Sequence, residues 1–352
     1  MISIDGSQYS GSGTILRYAL ALATLVHQPL QVKNIRARRP KPGLRPQHLT
    51  AVVACSRISG GRVEGAEVGS SEILYEPGPT IIPGEYRFDV GSAGSTTLLA
   101  FSLSIPALFA AGTTKFFLTG GLFQDFAPSL FHMQHCLLPL LERMGAKIGM
   151  TMIRPGYVPR GQGTVEVTVH PVRSALKPLT AVGQGTIAQV RGISLASHLI
   201  DQQVSTRMAD TCRSMLEQRG LSVKIEISDE VNAAQKGAAL CIWTESDTGA
   251  VLGSDMAGAP RRPSEKIAKS VATHFLEDLD SGATVDRHLA DQLIIFAALA
   301  RGATTYTIPR MTEHVESNLW LVREILGARA EMAYSVLTIH GVGLEPCARS
   351  QV

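Results

Sequence analysis

The chain has 352 residues, of which 45% are apolar and 18% charged, and its formal net charge is +3. This length exceeds one small core and favours two domains or one large repeated body, while the balanced composition excludes a disordered chain. So mild a charge does not by itself imply a nucleic-acid partner, although it can conceal a local concentration of cations.

At the N-terminus, Met1 to Asp5 alternates like a strand with no basic region ahead of an apolar core, so no secretory signal is read. The longest apolar stretch, Leu98 to Ala111, is broken by Ser102, Ser104 and Pro106 and is too short and polar to span a bilayer, so no membrane association is expected. Five cysteines at positions 55, 136, 212, 241 and 347 form no Cys-x-x-Cys pair. That argues against a disulfide framework and a thiolate zinc site, and a reducing cytoplasm is the expected location.

Taken in chain order, three segments share one plan. The first runs from the strand Ile2 to Asp5 through the Gly/Ser-rich turn Gly6 to Gly13 into the apolar run Thr14 to Ala23. The second repeats this with Tyr86 to Val90, the turn Gly91 to Ser95 and the run Thr96 to Ser104. Both read as strand, glycine turn, buried helix. The third, Ala283 to Asp286 followed by His288 to Ala300, keeps the helix and replaces the glycines with polar residues.

Each segment continues with a short strand (Leu30 to Ile35, Lys115 to Leu118, Thr304 to Ile308) and a second helix that stops at Gly60, Gly145 or Gly327. Alternating strands follow, as in Lys147 to Ile153 with Thr164 to Val169, and Ala333 to Ile339. Three βαβαββ units predict an α/β (α+β) body with helices over one face of each small sheet.

Residues 180–281 break this period with the strand Thr186 to Leu195, the helix Ser205 to Arg219, further strands, and the helix Ser264 to Leu279. They are expected to form a smaller α/β insert, leaving a core of residues 1–179 and 282–352 joined through linkers at Arg173 to Gly185 and Leu279 to Gly282. The insert's amphipathic helices suggest a recognition surface or a homodimer contact.

The turn Gly6 to Gly13 precedes a helix, where free N–H groups and the helix dipole suit a phosphate. It matches neither the Walker nor the dinucleotide pattern and equally suits a packing turn, but Arg17, one turn into the helix, tips the reading towards an anion. The basic loop from Ile35 to His48 holds Arg36, Arg38, Arg39, Lys41 and Arg45 with no acid, and three prolines stiffen it. Fixed φ angles lower the entropy cost of presenting cations to a polyanion, so phosphate binding is favoured over a solvated loop.

Among ten histidines, His132 and His135 lie three apart on a predicted helix with no carboxylate in register, and they read as ordinary helix residues. His314 opens the second helix of the third unit with Thr312 as its N-cap. A helix N-terminus lowers an imidazole pKa and keeps the ring neutral, as a nucleophile requires. Spacing alone also suits an exposed helix histidine. Asp291 and Gln292, near His288, open a neighbouring helix, where Asp291 suits a base, a ribose, a metal or simple helix capping.

Ile4 to Ser7 with Gly13 to Arg17, Lys41 to Leu49, Val63 to Ser70, Gly91 to Ser95, Ala127-Pro128, His288 to Ala300 and Glu313-His314 together resemble the RNA 3′-terminal phosphate cyclase family. The resemblance covers nearly the whole chain. It implies three repeated α/β units with an inserted domain, and an ATP-dependent closure of an RNA 3′-phosphate into a 2′,3′-cyclic phosphate through adenylyl-histidine on His314. It also implies that His288, Leu289, Ala290, Asp291, Gln292, Pro128 and Phe101 surround adenosine, and that Arg17, Arg36, Arg39, Lys41, Arg45, Gln47 and His48 hold phosphates. Mg²⁺ (or Mn²⁺) is implied on the triphosphate.

In typical members Ser10 is a metal-binding glutamate, Phe101 a glutamine and His288 a tyrosine. Ser10 can touch a metal but lacks the charge of a carboxylate. Two readings from other classes stand beside the cyclase. A cyclase-like RNA-binding protein of ribosome assembly lacks the adenylated histidine, so His314 argues against it. An enolpyruvyl transferase shares the fold, but Glu313-His314 and the Arg45 to His48 loop argue for the cyclase.

Overall fold

A computed structural model describes residues 1–346; Cys347 and the residues after it lie outside them. The fold is α+β, with four four-stranded sheets and their covering helices among the described residues.

The first sheet comprises β1 (Ile2–Asp5), β2 (Leu30–Lys33), β3 (Arg62–Glu64) and β4 (Ile73–Glu76), ordered β1-β2-β4-β3. Its helices are α1 (Gly13–Val26) and α2 (Pro46–Ser59). The second sheet, ordered β5-β6-β8-β7, comprises β5 (Glu85–Asp89), β6 (Thr114–Gly120), β7 (Ile148–Arg154) and β8 (Gly163–Val169). With it go α3 (Thr96–Ala107) and a helical segment made of α4 (Leu130–His132), a π-helical turn (Met133–Leu137) and α5 (Leu138–Arg143). In both sheets the first two strands run parallel and the others antiparallel.

After the short β9 (Thr180–Ala181) comes the insert: β10 (Val190–Ser197), α6 (Val204–Glu217), β11 (Val223–Glu230), β12 (Gly237–Glu245), β13 (Val251–Ala257) and α7 (Ser264–Asp280). Its sheet is ordered β11-β10-β12-β13, and Met208, Leu216, Ile242, Val271 and Phe275 belong to a separate apolar core under α6 and α7. The remaining elements are α8 (Leu289–Leu299), β14 (Arg301–Thr307), α9 (Glu313–Leu326), β15 (Arg329–Ala333) and β16 (Val336–Val342).

The last sheet, β15-β16-β14-β9, has the same spatial pattern as the first two, but its first strand is not Ala283 to Asp286 as expected. Thr180 and Ala181 fill that place, pairing in parallel with Thr305 and Tyr306. Thr180–Ala181, at the start of the range assigned to the insert, therefore lies on a core sheet. Val285 makes only an isolated bridge to Val251 of the insert, because Asp286 turns away to cap α8. The single strand expected at Ala333 to Ile339 is a hairpin of β15 and β16.

Helix α1 explains the position of the site. From Gly13 to Leu25 every residue is buried, as an Ala/Leu run with almost no charge requires, and the helix packs against α2, α3 and α9. Ser12 caps its start, accepting from the Thr14 N–H at 3.3 Å. Deeper in, Phe101 lies between Tyr18 and Phe296, with ring centroids 5.0 and 5.5 Å away. This aromatic contact locks α1, α3 and α8 together and fixes their N-terminal ends around one cleft.

Candidate active site

The first wall of the cleft is the glycine turn beneath the basic loop. At Gly13 a Cβ would lie 2.0 Å from His48 Nε2, so the imidazole rests on the bare backbone at the start of α1. His48 is buried, and its Nδ1 accepts from the Arg45 N–H at 3.2 Å, which leaves the proton of the neutral ring on Nε2. Burial, then Arg17, Arg36 and Arg45, push its pKa down to about 2, so the ring is a neutral donor at any working pH.

The loop closes over this turn through its arginines. Arg38 donates to the Tyr9 carbonyl, and Arg39 Nη2 donates to the Ser10 carbonyl at 3.3 Å. Arg36 folds back on its own loop, donating to the carbonyls of Lys41 at 2.6 Å and Gly43 at 3.0 Å. Gly43 has φ +75°, and a Cβ there would meet the Gly69 carbonyl oxygen at 2.2 Å, so this loop is seated on backbone that only glycine permits.

Arg17 is the most informative cation. It is 4% exposed, its Nε has no partner, and burial, with a further contribution from Arg36, brings its pKa down to about 10. It remains charged at neutral pH. Among the described residues neither Arg17 nor Arg36, Arg38, Arg39 or Arg45 forms an ion pair, although thirteen such pairs occur elsewhere. A buried cation without a carboxylate costs several kcal/mol, on the order of 3–5, unless an anion joins it.

The second wall is the start of α9. Thr312 caps it, accepting from the Val315 N–H at 3.2 Å, and His314 lies exposed in the first turn. Ser317 Oγ lies 2.6 Å from the Glu313 carbonyl and 2.8 Å from Ser10 Oγ, and it accepts from the Ser10 N–H at 3.2 Å. Ser10 Oγ in turn contacts Ser12 Oγ at 3.1 Å. This chain of hydroxyls, with Tyr9 packed on Trp320 at 5.5 Å, ties the glycine turn to the helix bearing His314. Surrounding protein, then Arg39 and Arg17, lower the His314 pKa, and neither ring nitrogen makes a hydrogen bond among the described residues.

The third wall is α8. Asp286 caps it through Oδ1, accepting from the N–H groups of His288 at 2.8 Å and Leu289 at 2.9 Å. Its Oδ2 accepts from the Gly253 N–H and from His132 Nε2, both at 2.9 Å. Expected to be an ordinary helix residue, His132 is instead wholly buried and paired with a carboxylate 154 residues away. Burial alone would lower its pKa, but Asp286 overrides this and raises it to about 9, while Asp286 is held below the usual carboxylate range. The His132 ring meets His288 edge-on at 5.8 Å. Asn318 Nδ2 donates to the Asp291 carbonyl at 2.9 Å, joining α9 to α8, and desolvation of the half-buried Asp291 by the surrounding protein raises its pKa to about 7.

Gln47 Oε1 accepts from the Ser95 N–H at 2.9 Å in the second glycine turn, and Thr97 Oγ1 donates to the Pro128 carbonyl at 2.8 Å. Lys41 is exposed on the loop. Phe101, Leu289 and Ala290, by contrast, point into the core and form none of the cleft surface; Gln292 is 4% exposed. Within 288–292 only His288 and Asp291 are not buried. Sequence reasoning did not single out Asp286, Ser317 or Asn318; for Asp286 an acid three positions before an apolar helix is a capping signal.

Two places bear on metal binding. Donor atoms of His132, Cys136 and Asp286 lie within 4.8 Å of one another, but the ion pair and backbone donors already saturate that carboxylate. Ser10, Ser12 and Ser317 offer only hydroxyls that bond one another. They do not make a carboxylate site for Mg²⁺, so a divalent ion here would rest on phosphate oxygens and water.

A family model described as RNA 3′-terminal phosphate cyclase matches residues 8–332. The chain belongs to the RNA 3′-terminal phosphate cyclase family. Similar curated proteins named RNA 3′-terminal phosphate cyclase come from Caldivirga maquilingensis, 37% identical over 94% of this chain and 94% of its own length, and Archaeoglobus fulgidus, 36% identical over 93% and 96%. The Pyrobaculum aerophilum protein of that name is 35% identical over 92% of both chains. The cyclase match contains every wall of the cleft, from Ser10 and Arg17 through the basic loop and Pro128 to Asp286 and His314.

Proposed function

We propose that this chain converts an RNA 3′-terminal phosphate into a 2′,3′-cyclic phosphate at the expense of ATP, with His314 as adenylyl carrier. The observation that carries the reading is His314 itself: a neutral imidazole with free ring nitrogens, at a helix N-terminus, facing the electrostatic reach of Arg39 and of the unpaired, buried Arg17. Family membership supports the reaction class.

In the first step the unprotonated ring nitrogen attacks the α-phosphorus of ATP, an N–P bond forms, and the bond to the β-phosphate breaks to release pyrophosphate. Arg17 and Arg39 serve twice here, keeping the ring unprotonated and drawing the triphosphate in. The N–H of the other ring nitrogen leaves the adenylylated ring cationic, which makes neutral imidazole a good leaving group. In the second step an oxygen of the RNA phosphate takes the adenylyl group. In the third, the adjacent ribose O2′ attacks the activated 3′-phosphorus, loses its proton and expels AMP. Fixed proximity supplies much of this last rate, since effective molarities of about 10⁵ M or more apply to well-oriented intramolecular attack.

His288, Pro128 and Asp291 are assigned to adenosine, and Arg17, Arg39, Gln47 and His48 to phosphates. Mg²⁺ or Mn²⁺ is expected to arrive on the triphosphate. The four described cysteines, all free and buried, support a cytoplasmic location.

The test is incubation with ATP labelled at the α-phosphate, without RNA, in Mg²⁺ and in Mn²⁺. Acid-labile label on the wild type that is absent from His314→Ala is expected. An unlabelled wild type under both metals sinks the reading. The hydroxyl-only glycine turn favours one second reading, a non-catalytic RNA-binding member, for which RNA binding persists without label.

A further inference from the structure

Next to the cleft just described lies a second one of about 560 Å³, formed where the first unit, the second unit and the insert meet; its lining includes Arg45, Gln47, Gly94, Phe126, Val158 and Pro260. Its outstanding feature is Phe126. The residue is 103% exposed and has φ +64°, a left-handed conformation that costs a bulky L-residue about 1–2 kcal/mol. Neither the exposed ring nor the strained backbone stabilises the free protein.

The conformation is held from outside. The preceding residue, Asp125, receives both terminal nitrogens of Arg262 from the insert, at 2.9 and 2.7 Å, and Arg262 also donates to the Ala257 carbonyl at 2.7 Å. The phenyl is thus presented by a rigid fork rather than by a loose loop. Val158, also in the lining, is 50% exposed and gives the cleft a second apolar surface.

Charge defines what fits. The one acid in the lining, Asp125, is neutralised by Arg262, whereas Arg45 has no carboxylate partner, so the uncompensated charge is positive. The cleft also adjoins the catalytic one, because Gln47 lines it while the next residue, His48, packs on Gly13 of the phosphate-side turn. A flat apolar group with an anion beside it, attached to something already in the active site, answers all three features. Single-stranded RNA offers that combination.

Resting on the cyclase reading, we propose that this cleft holds the nucleotide preceding the terminal one, with its base stacked on Phe126 and its phosphate against Arg45. Stacking on an aromatic ring tolerates any base, because every base has a π face. The site therefore selects a single-stranded 3′ end without selecting its sequence, and a paired end, whose bases are already stacked, is disfavoured.

The test compares wild type, Phe126→Ala and Phe126→Trp on oligonucleotides ending in a 3′-phosphate. Base–aromatic stacking is worth about 1–3 kcal/mol, so Phe126→Ala should raise KM for RNA roughly 5- to 150-fold. Little change in kcat and normal self-labelling by ATP alone are expected, with Phe126→Trp restoring KM. On a nucleoside 5′,3′-bisphosphate, which has no preceding nucleoside, the difference should vanish.

An unchanged KM overturns the proposal. So does a parallel loss of self-labelling, which assigns Phe126 to the nucleotide, or a change only in oligomeric state, which makes this face a protein contact. Quenching of Phe126→Trp fluorescence by the oligonucleotide, measured against the two native tryptophans, reads stacking without turnover. It therefore decides the stacking even if the wild type takes no label and the cyclase reading fails.

Discussion

Arg17 has the environment of a group that stabilises a complex rather than the free fold. A guanidinium that is 4% exposed, with an unpartnered Nε, opposes folding through desolvation and is offset only when an anion arrives. Arg17→Met keeps the volume and removes the charge, so the melting temperature should hold or rise while KM for ATP increases at least about tenfold, the scale of one lost charge-assisted contact. Thermal melts and ATP titrations on the same preparation check both halves. A lower melting temperature with unchanged KM would assign Arg17 to the core. His314 obeys a different logic, since its substitution should abolish self-labelling and leave the fold intact, as an exposed first-turn residue allows.

At the scale of elements, the pair His132 and Asp286 joins the end of α4, the start of α8 and strand β13 of the insert. Its pH dependence has a definite sign. A histidine raised to about 9 in the folded state contributes stability that is fully present below its ordinary value of 6.5 and is lost as pH rises through about 9. Asp286, lowered from 3.8, contributes in the opposite window, with stability present above that value and lost as pH falls below it. The melting temperature should therefore decline between pH 6.5 and about 9, and this decline should largely disappear in His132→Gln. A wild-type profile flat over that range would mean that the pair is not ionised.

How much of this was legible follows from sequence distance. The glycine turn, the basic loop and the cap at Thr312 are local patterns, and they could be read directly. The partnership of His132 with Asp286, 154 residues apart, leaves no mark on the periodicity of either segment. The strand β9 is two residues long, too short for alternation to register, and the stretch before α8 alternates like a strand although it serves as a cap. Phe101 shows the converse: the resemblance implied a nucleotide wall there, while the apolar run from Thr96 to Ser104 already described a buried helix.

For the whole molecule, the contact of Tyr18, Phe101 and Phe296 holds three helices whose ends form the cleft. Phe101→Ala should lower stability by about 3–5 kcal/mol through lost burial and a cavity, measured by denaturant unfolding. The same variant should keep KM for ATP near its wild-type value under conditions where it stays folded, because the ring lies beneath the cleft and not in its wall. A selective loss of ATP binding without loss of stability would overturn that placement.

The bond between Ser10 and Ser317 spans 307 positions of the chain. On a ribosome the glycine turn therefore emerges well before the helix that completes it. Until then the arginines of the basic loop face no His314, and on the proposed reading a chain that stops before α9 has no adenylyl carrier. On that reading, order of synthesis alone withholds activity from a chain that stops short of α9.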